Sequence, residues 1–156
     1  MNRCFFIGHR DTPEKIYPLL AKAIEQHISA LGVQEFYVGH YGSFDAMAAK
    51  AVIAAKNQHP NVRLFMLLPY HPTIRPVELP EGFDGSFFPE GQENVPFRAA
   101  IHRANEYMIR YVDHLICYVD HPSSGSRELM DKALKRQEQG FVLITNIAKS
   151  KIGGVL

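Results

Sequence analysis

Apolar runs short enough to be strands alternate along the chain with longer segments in which apolar residues recur at helical spacing. The runs cover residues 4–7, 35–38, 62–68, 114–119 and 141–144. The helical segments cover residues 13–31, 44–58, 97–111 and 126–139. Pro18 falls early in the first of these, so that helix either begins near Tyr17 or bends in its first turn. The pattern therefore predicts five strands joined by helices.

The strand runs are apolar at nearly every position, which is typical of a parallel sheet covered by helices on both faces. We therefore predict an α/β fold: a single Rossmann-like doubly wound domain with a five-stranded, mostly parallel sheet in the order 3-2-1-4-5. Residues 1–147 are expected to form this domain, and 148–156 a loosely ordered C-terminal tail. The segment 69–96 holds six of the ten prolines and is expected to be a long loop with a short strand around 86–88.

Three polar loops follow strands one, two and four, at residues 8–12, 39–45 and 120–128. In the predicted order they converge at the switch point between strands one and four, where ligands bind in such sheets. Glycine lets the backbone approach a ligand, and free N–H groups at a helix start suit phosphate oxygens. The loops therefore predict a nucleotide-like ligand bound by these residues: Gly8, His9, Arg10, Gly39, His40, Gly42, Ser43, Asp45, Ser123, Ser124, Gly125 and Ser126.

Asp45 and Arg10 each have more than one interpretation. With Ser43 as a helix N-cap, Asp45 lies in the first helical turn, where it would repel a phosphate. We therefore assign the phosphate to the 123–126 loop and expect Asp45 to face hydroxyl groups such as those of a ribose. Asp45 can instead be a carboxylate that only stabilises the helix start. His9 and Arg10 can supply positive charge to an anion, although Arg10 can also pair with Asp11 or Asp45.

Composition limits the classes of function. The chain has 156 residues, 46% of them apolar, and a net charge of +1. It lacks the broad basic surface of a non-specific nucleic-acid binder, so nucleic acid is expected to be an unlikely partner. No apolar run reaches membrane-spanning length, and Cys4 and Cys117 lie in apolar runs, so we expect a cytoplasmic protein without membrane association. The histidines have no metal-binding spacing and no GxSxG motif is present, which predicts no metal site, no cofactor and no serine hydrolase.

Four elements carry a resemblance to a known family: FIGHR, FYVGHYGSFDAMAA, AIHRANEYMI and the small-residue loop after YVD. Together they resemble the SLOG superfamily, a Rossmann-like group named for the DprA and LOG proteins. The likeness runs from about residue 3 to residue 147 and is strongest to small, uncharacterised bacterial YpsA-like proteins. It implies a nucleotide or nucleotide-derived ligand above the strand ends, with Arg103 and Asn105 of the third helix as further binding residues.

The same resemblance bears on catalysis. LOG enzymes cleave the N-glycosidic bond of nucleoside monophosphates with a PGGxGTxxE loop that ends in a catalytic glutamate. Here the loop reads HPSSGSREL, with Leu129 at the glutamate position and Glu128 one residue away, about 100° around a helix.

The missing glutamate favours a cytoplasmic binding protein, a sensor or regulator, over an enzyme. One alternative is a LOG-like phosphoribohydrolase or deoxyribosyltransferase-like enzyme that uses Glu128, Asp45 or Glu90 as the carboxylate. A second is a DprA-like binder of single-stranded DNA. The oligomeric state stays open, with a homodimer as one arrangement.

Overall fold

Six strands form one parallel sheet in the order β4-β3-β2-β1-β5-β6 in the computed structural model, which describes residues 2–121 and 124–149. All five neighbouring pairs are parallel. The strands are β1 (Arg3–Gly8), β2 (Glu35–Val38), β3 (Arg63–Leu67), β4 (Gly85–Phe87), β5 (His114–Tyr118) and β6 (Leu143–Asn146). The predicted fold class and strand order are confirmed, and the sixth strand, β4, is added beside β3.

Two pairs of helices cover the two faces of this sheet. The helices are α1 (Tyr17–Ser29), α2 (Ser43–Ala55), α3 (Ala100–Tyr111) and α4 (Ser124–Glu138), with short 3-10 turns at Glu14–Ile16, Gln92–Asn94 and Phe97–Ala99. Alternate residues of β1 point to opposite faces. Phe6 packs in the core formed with α1 and α2, whereas Phe5 packs in the core formed with α3 and α4. The nearly continuous apolar strands thus follow from burial on both sides.

The last strand begins two residues later than its apolar run predicts. Gly140 has a φ of +82° and ends α4, and the N–H of Phe141 donates to the carbonyl of Arg136 at 2.9 Å. Residues 141 and 142 therefore connect the end of α4 to β6, whose pairing with β5 begins at Leu143. Phe141 is 58% exposed as a result.

The proline-rich loop 69–96 is anchored to the domain at several points. The buried Gln92 side chain donates from Nε2 to the carbonyls of Pro69, at 3.1 Å, and Ala100, at 2.7 Å. Lys56, the residue that follows α2, donates from Nζ to the carboxylate of Asp84 at 2.6 Å. The Gln92 contacts hold the end of the loop beside Pro69, at the carboxyl end of β3, whereas Lys56 holds Asp84 at the amino end of β4.

The described part of the chain ends shortly after β6. Ile147 and Ala148 are buried in the core beside α1 and α2, whereas 150–156 lie outside the described residues. The domain boundary at residue 147 and the loose tail therefore stay predictions. Cys4 and Cys117 are both buried free thiols. No helix in the described ranges is long and apolar enough to cross a membrane.

Candidate functional site

A cavity of about 480 Å³ lies at the carboxyl ends of β1, β2 and β3. The loops after β1 and β2 form one wall, and the starts of α3 and α4 form the other. Its polar and charged lining residues are His9, Arg10, Tyr41, Asp45, Arg98, His102, Asn105 and Ser126. Apolar atoms of the strand ends, Ile101 and Leu129 complete the lining.

The cavity brings together about half of the residues predicted to bind a ligand. Those that line it are Gly8, His9, Arg10, Gly39, Asp45, Asn105 and Ser126. His40 and Gly42 instead line a second cavity of about 420 Å³, between α2 and the 69–96 loop. Ser123 lies outside the described residues, and Ser124 and Gly125 are described only as backbone of the first turn of α4. The ligand itself stays a prediction for all of them.

Gly8 and Gly42 are both required by the packing of the chain. A Cβ atom on Gly8 would lie 2.2 Å from Cγ of Phe44, so the missing side chain lets α2 rest on the end of β1. Gly42 has a φ of +134°, and a Cβ atom there would lie 2.6 Å from Cα of Arg10. Both glycines therefore allow the loops after β1 and β2 to meet.

Ser43 joins these two loops and does not cap α2 as predicted. Gly42 occupies the N-cap position, and Ser43 is the first residue of the helix. The N–H of Ser43 donates to the carbonyl of Arg10 at 2.8 Å, and its hydroxyl donates to the carbonyl of Thr12 at 2.8 Å. The serine thus holds the first loop in place and is not among the described residues that line the main cavity.

Asp45 faces both cavities from the first turn of α2. Its Oδ2 accepts a hydrogen bond from the backbone N–H of Tyr41 at 3.3 Å. Burial raises the pKa of Asp45 to about 6, while the Tyr41 hydrogen bond and the charge of Arg10 act in the opposite direction. A carboxylate held in a poorly hydrated position at two cavities is a strong candidate for accepting hydrogen bonds from a ligand.

His9 is buried at the end of β1 against the loop after β5. Its ring stacks on His121 with the centroids 4.0 Å apart, and its Nε2 accepts from the backbone N–H of Asp120 at 3.3 Å. Burial lowers the pKa of His9, the nearby His121 lowers it further, and Asp120 opposes both. The imidazole is therefore neutral at neutral pH, and Arg10 is the better source of the positive charge expected from this loop.

These three side chains also form a cluster of possible metal ligands. The ligand atoms of His9, Asp120 and His121 lie within 4.8 Å of one another. Two imidazoles and a carboxylate are ligand types that zinc accepts. The prediction that the protein has no metal site therefore remains untested.

Leu129 lines the cavity, whereas Glu128 is not among the lining residues. The Glu128 carboxylate lies 3.4 Å from His102 Nε2 and 3.5 Å from Lys132 Nζ, on the surface between α3 and α4. Leu129 is 5% exposed and forms part of the cavity wall. Arg103 is also directed elsewhere, with its Nε 3.7 Å from Glu106. Leu129 therefore places an apolar side chain in the wall at the position where the resemblance to LOG enzymes implied a glutamate.

Sequence reasoning missed several lining residues at the start of α3. The missed residues Arg98, Ile101 and His102 face the cavity together with Asn105, which was predicted. Their spacing of three, one and three residues is that of one helical face, so extending the stripe back from Asn105 would have identified them. Arg103 lies outside this stripe, which explains why it does not reach the site.

Comparisons with known proteins place the fold but not the function. No protein-family model and no curated protein matches the chain. Among solved structures, DNA processing protein A from Helicobacter pylori is similar, with a TM-score of 0.55 and 15% identity, over 99% of this chain and 80% of that one. That structure is described as giving insight into a single-stranded DNA binding mode. DNA processing protein A is a SLOG protein, so the likeness supports the fold that the resemblance implied.

This likeness corrects one expectation drawn from composition. Nucleic acid was expected to be an unlikely partner because the net charge is +1. That expectation is wrong, because a protein with this fold binds single-stranded DNA. Net charge sums over the whole surface, whereas Arg10 and Arg98 both line one cavity. A local group of arginines can attract phosphate on a protein that is nearly neutral overall.

Proposed function

We propose that the cavity at the carboxyl edge of the sheet binds one nucleotide unit, presented as part of single-stranded DNA. The observation that carries the proposal is the chemistry of the lining, in which two arginines, a carboxylate and an apolar wall face one space of about 480 Å³. A nucleotide combines an anionic phosphate, hydrogen-bonding groups and a flat apolar ring. Small-ligand cavities commonly have this volume.

Each part of a nucleotide has a matching group in the cavity. Arg10 and Arg98 are suited to the phosphate, because a guanidinium donates two parallel hydrogen bonds to such an anion. Asp45 is suited to accept a hydrogen bond from an N–H group of the base or, in a mononucleotide, from a sugar hydroxyl. Ile101 and Leu129 offer an apolar surface for the face of the base.

Two sources can supply the same nucleotide chemistry. The fold likeness to DNA processing protein A favours single-stranded DNA. The second candidate is a free nucleotide or nucleotide derivative, for which the chain would act as a sensor of the YpsA-like kind. The observation in its favour is the volume of the cavity, which suits one mononucleotide.

Binding of deoxythymidine monophosphate and of a labelled oligothymidylate by wild type and Arg98→Ala tests the proposal. A hydrogen bond to a charged group is worth about 1.5–3 kcal/mol, so we expect Arg98→Ala to weaken both ligands about 10- to 150-fold. Arg110→Ala is the matched control, since Arg110 is an exposed arginine at the other end of α3. Tight binding of only the mononucleotide would favour the sensor function. Binding of neither, or equal effects of the two substitutions, would refute a nucleotide site in this cavity.

A further inference from the structure

An exposed group of aromatic rings and one arginine lies beside the cavity. We name Tyr70, Arg75 and Phe97 the aromatic platform. The rings of Tyr70 and Phe97 meet edge to face with their centroids 5.3 Å apart. The guanidinium of Arg75 lies 4.0 Å from the centroid of Tyr70 and 5.7 Å from that of Phe97. The three side chains therefore form one packed group, in which Arg75 covers the partly exposed ring of Tyr70 and Phe97 is left exposed.

The platform is anchored to the cavity wall by the chain itself. Tyr70 directly follows Pro69, and Phe97 directly precedes Arg98, and both of those neighbours line the cavity. The Tyr70 hydroxyl donates to the carbonyl of Phe97 at 3.2 Å, which ties the two segments together. A group bound in the cavity and a group resting on the platform would thus be neighbours.

The platform is exposed, and its arginine has no acidic partner in the described part of the chain, so packing of the core does not explain it. Phe97 is 55% exposed, and Arg75 is exposed with it. Across residues 2–121 and 124–149, no carboxylate lies within 4.0 Å of the Arg75 guanidinium. An exposed aromatic surface with an uncompensated positive charge suits a partner that offers both flat rings and negative charge. Single-stranded nucleic acid has both, because its bases stack on aromatic side chains and its phosphates pair with arginine.

We propose that the aromatic platform stacks the base next to the one held in the cavity, so that the partner is a single strand longer than one nucleotide. This inference rests on the proposed function of the cavity. Phe97 supplies the exposed ring face for the base, and Arg75 supplies the charge for the phosphate between the two bases. The strand then runs from the cavity across Pro69 and Arg98 to the platform.

Affinity measured against ligand length tests the platform. Deoxythymidine monophosphate fills only the cavity, whereas an oligothymidylate of about twelve nucleotides spans a typical single-strand site. We expect Phe97→Ala to weaken the labelled oligothymidylate about 5- to 150-fold, the range observed when a stacking aromatic is removed. The same variant should bind the mononucleotide as wild type does. Phe97→Tyr should retain oligonucleotide affinity because it keeps the π face, and Phe97→Leu should not.

Phe141 provides a matched control on the opposite edge of the sheet. It is 58% exposed and has the guanidinium of Arg136 4.8 Å from its ring centroid, so it repeats the pairing of an exposed ring with an arginine away from the cavity. Phe141→Ala should leave oligonucleotide affinity unchanged. Equal losses in Phe141→Ala and Phe97→Ala, or an unchanged affinity in Phe97→Ala, would overturn the platform.

The remaining outcomes separate the platform from the cavity. If Phe97→Ala weakens mononucleotide and oligonucleotide binding to the same extent, Phe97 only shapes the cavity. That result would overturn the role of the platform and leave the proposed function intact. Failure of the wild type to bind either ligand would overturn both. A thermal-unfolding midpoint equal to that of wild type establishes that the variants are folded.

Discussion

Asp45→Asn is expected to make the protein more stable at neutral pH while weakening ligand binding. Burial raises the pKa of Asp45 from 3.8 to about 6, so the folded chain holds this proton more tightly than the unfolded chain does. The contribution of Asp45 to stability is therefore greatest below pH 3.8, decreases as the pH rises to about 6, and stays at its low value above that. An asparagine oxygen can still accept the hydrogen bond from Tyr41 but carries no charge.

The size of this effect follows from the shifted pKa. A pKa difference of one corresponds to about 1.4 kcal/mol. The rise from 3.8 to about 6 therefore lowers the free energy of unfolding at pH 7.5 by about 3 kcal/mol, and at pH 4 by less than about 1 kcal/mol. Asp45→Asn should regain most of this lost free energy of unfolding. The variant should therefore be clearly more stable than wild type at pH 7.5 and only slightly more stable at pH 4.

Urea unfolding of wild type and Asp45→Asn at these two pH values measures the effect directly. Asp131→Asn is the control, because Asp131 is exposed on α4 and loses the same charge. A surface change of this kind is expected to stay within about 0.5 kcal/mol at both pH values. The burial argument would be refuted if Asp45→Asn were less stable than wild type at pH 7.5, or if its advantage did not depend on pH.

Two further predictions concern catalysis and acid stability. Wild type and Glu128→Gln should release no free base from nucleoside monophosphates, because Glu128 is not among the lining residues and Leu129 stands where the LOG enzymes have their glutamate. Base release seen only in Leu129→Glu would show that the cavity, although Asp45 lines it, lacks a carboxylate at that position. Robust wild-type turnover that is lost in Glu128→Gln would contradict the prediction. Burial, with the nearby His27, lowers the pKa of His114 below its ordinary 6.5, so the folded chain binds this proton less readily than the unfolded chain. The free energy of unfolding should therefore fall as the pH drops through 6.5. His114→Gln should flatten the fall in urea-unfolding free energy between about pH 7 and about pH 5, and an unchanged slope would refute the assignment.

The arrangement of strands and helices could be read from local patterns in the chain. The run EFYV at 35–38 coincides with β2, and the five apolar runs occur in the predicted spatial order. This succeeds because apolar periodicity records burial residue by residue, and because right-handed crossovers allow few orders for a parallel sheet. β4 was expected only as a short strand within the loop around 86–88. The three residues Gly85–Phe87 carry too little pattern to reveal their pairing with β3.

The candidate site was predictable as a location but not in detail. The loops after β1 and β2 do meet, as the strand order required, and Gly8, Arg10 and Asp45 line one cavity. Which side chain of a helical segment reaches that cavity depends on the rotation of the helix. A rotation of about 100° between consecutive residues separates Leu129 in the wall from Glu128 on the surface. Helix geometry gives that angle from the sequence, but the sequence does not show which of the two residues faces the cavity.

By itself, then, the sequence determined which segments pair, which faces are buried and where the strand ends converge, because these follow from periodicity along the chain. Only the tertiary structure decided what each special residue does there. Gly8 looks like a ligand-approach glycine in sequence, yet its missing Cβ makes room for the ring of Phe44. Tyr70, Arg75 and Phe97 form one surface although up to 27 residues separate them in the chain. Contacts between distant segments depend on how the helices and loops pack together, and no local pattern of residues records them.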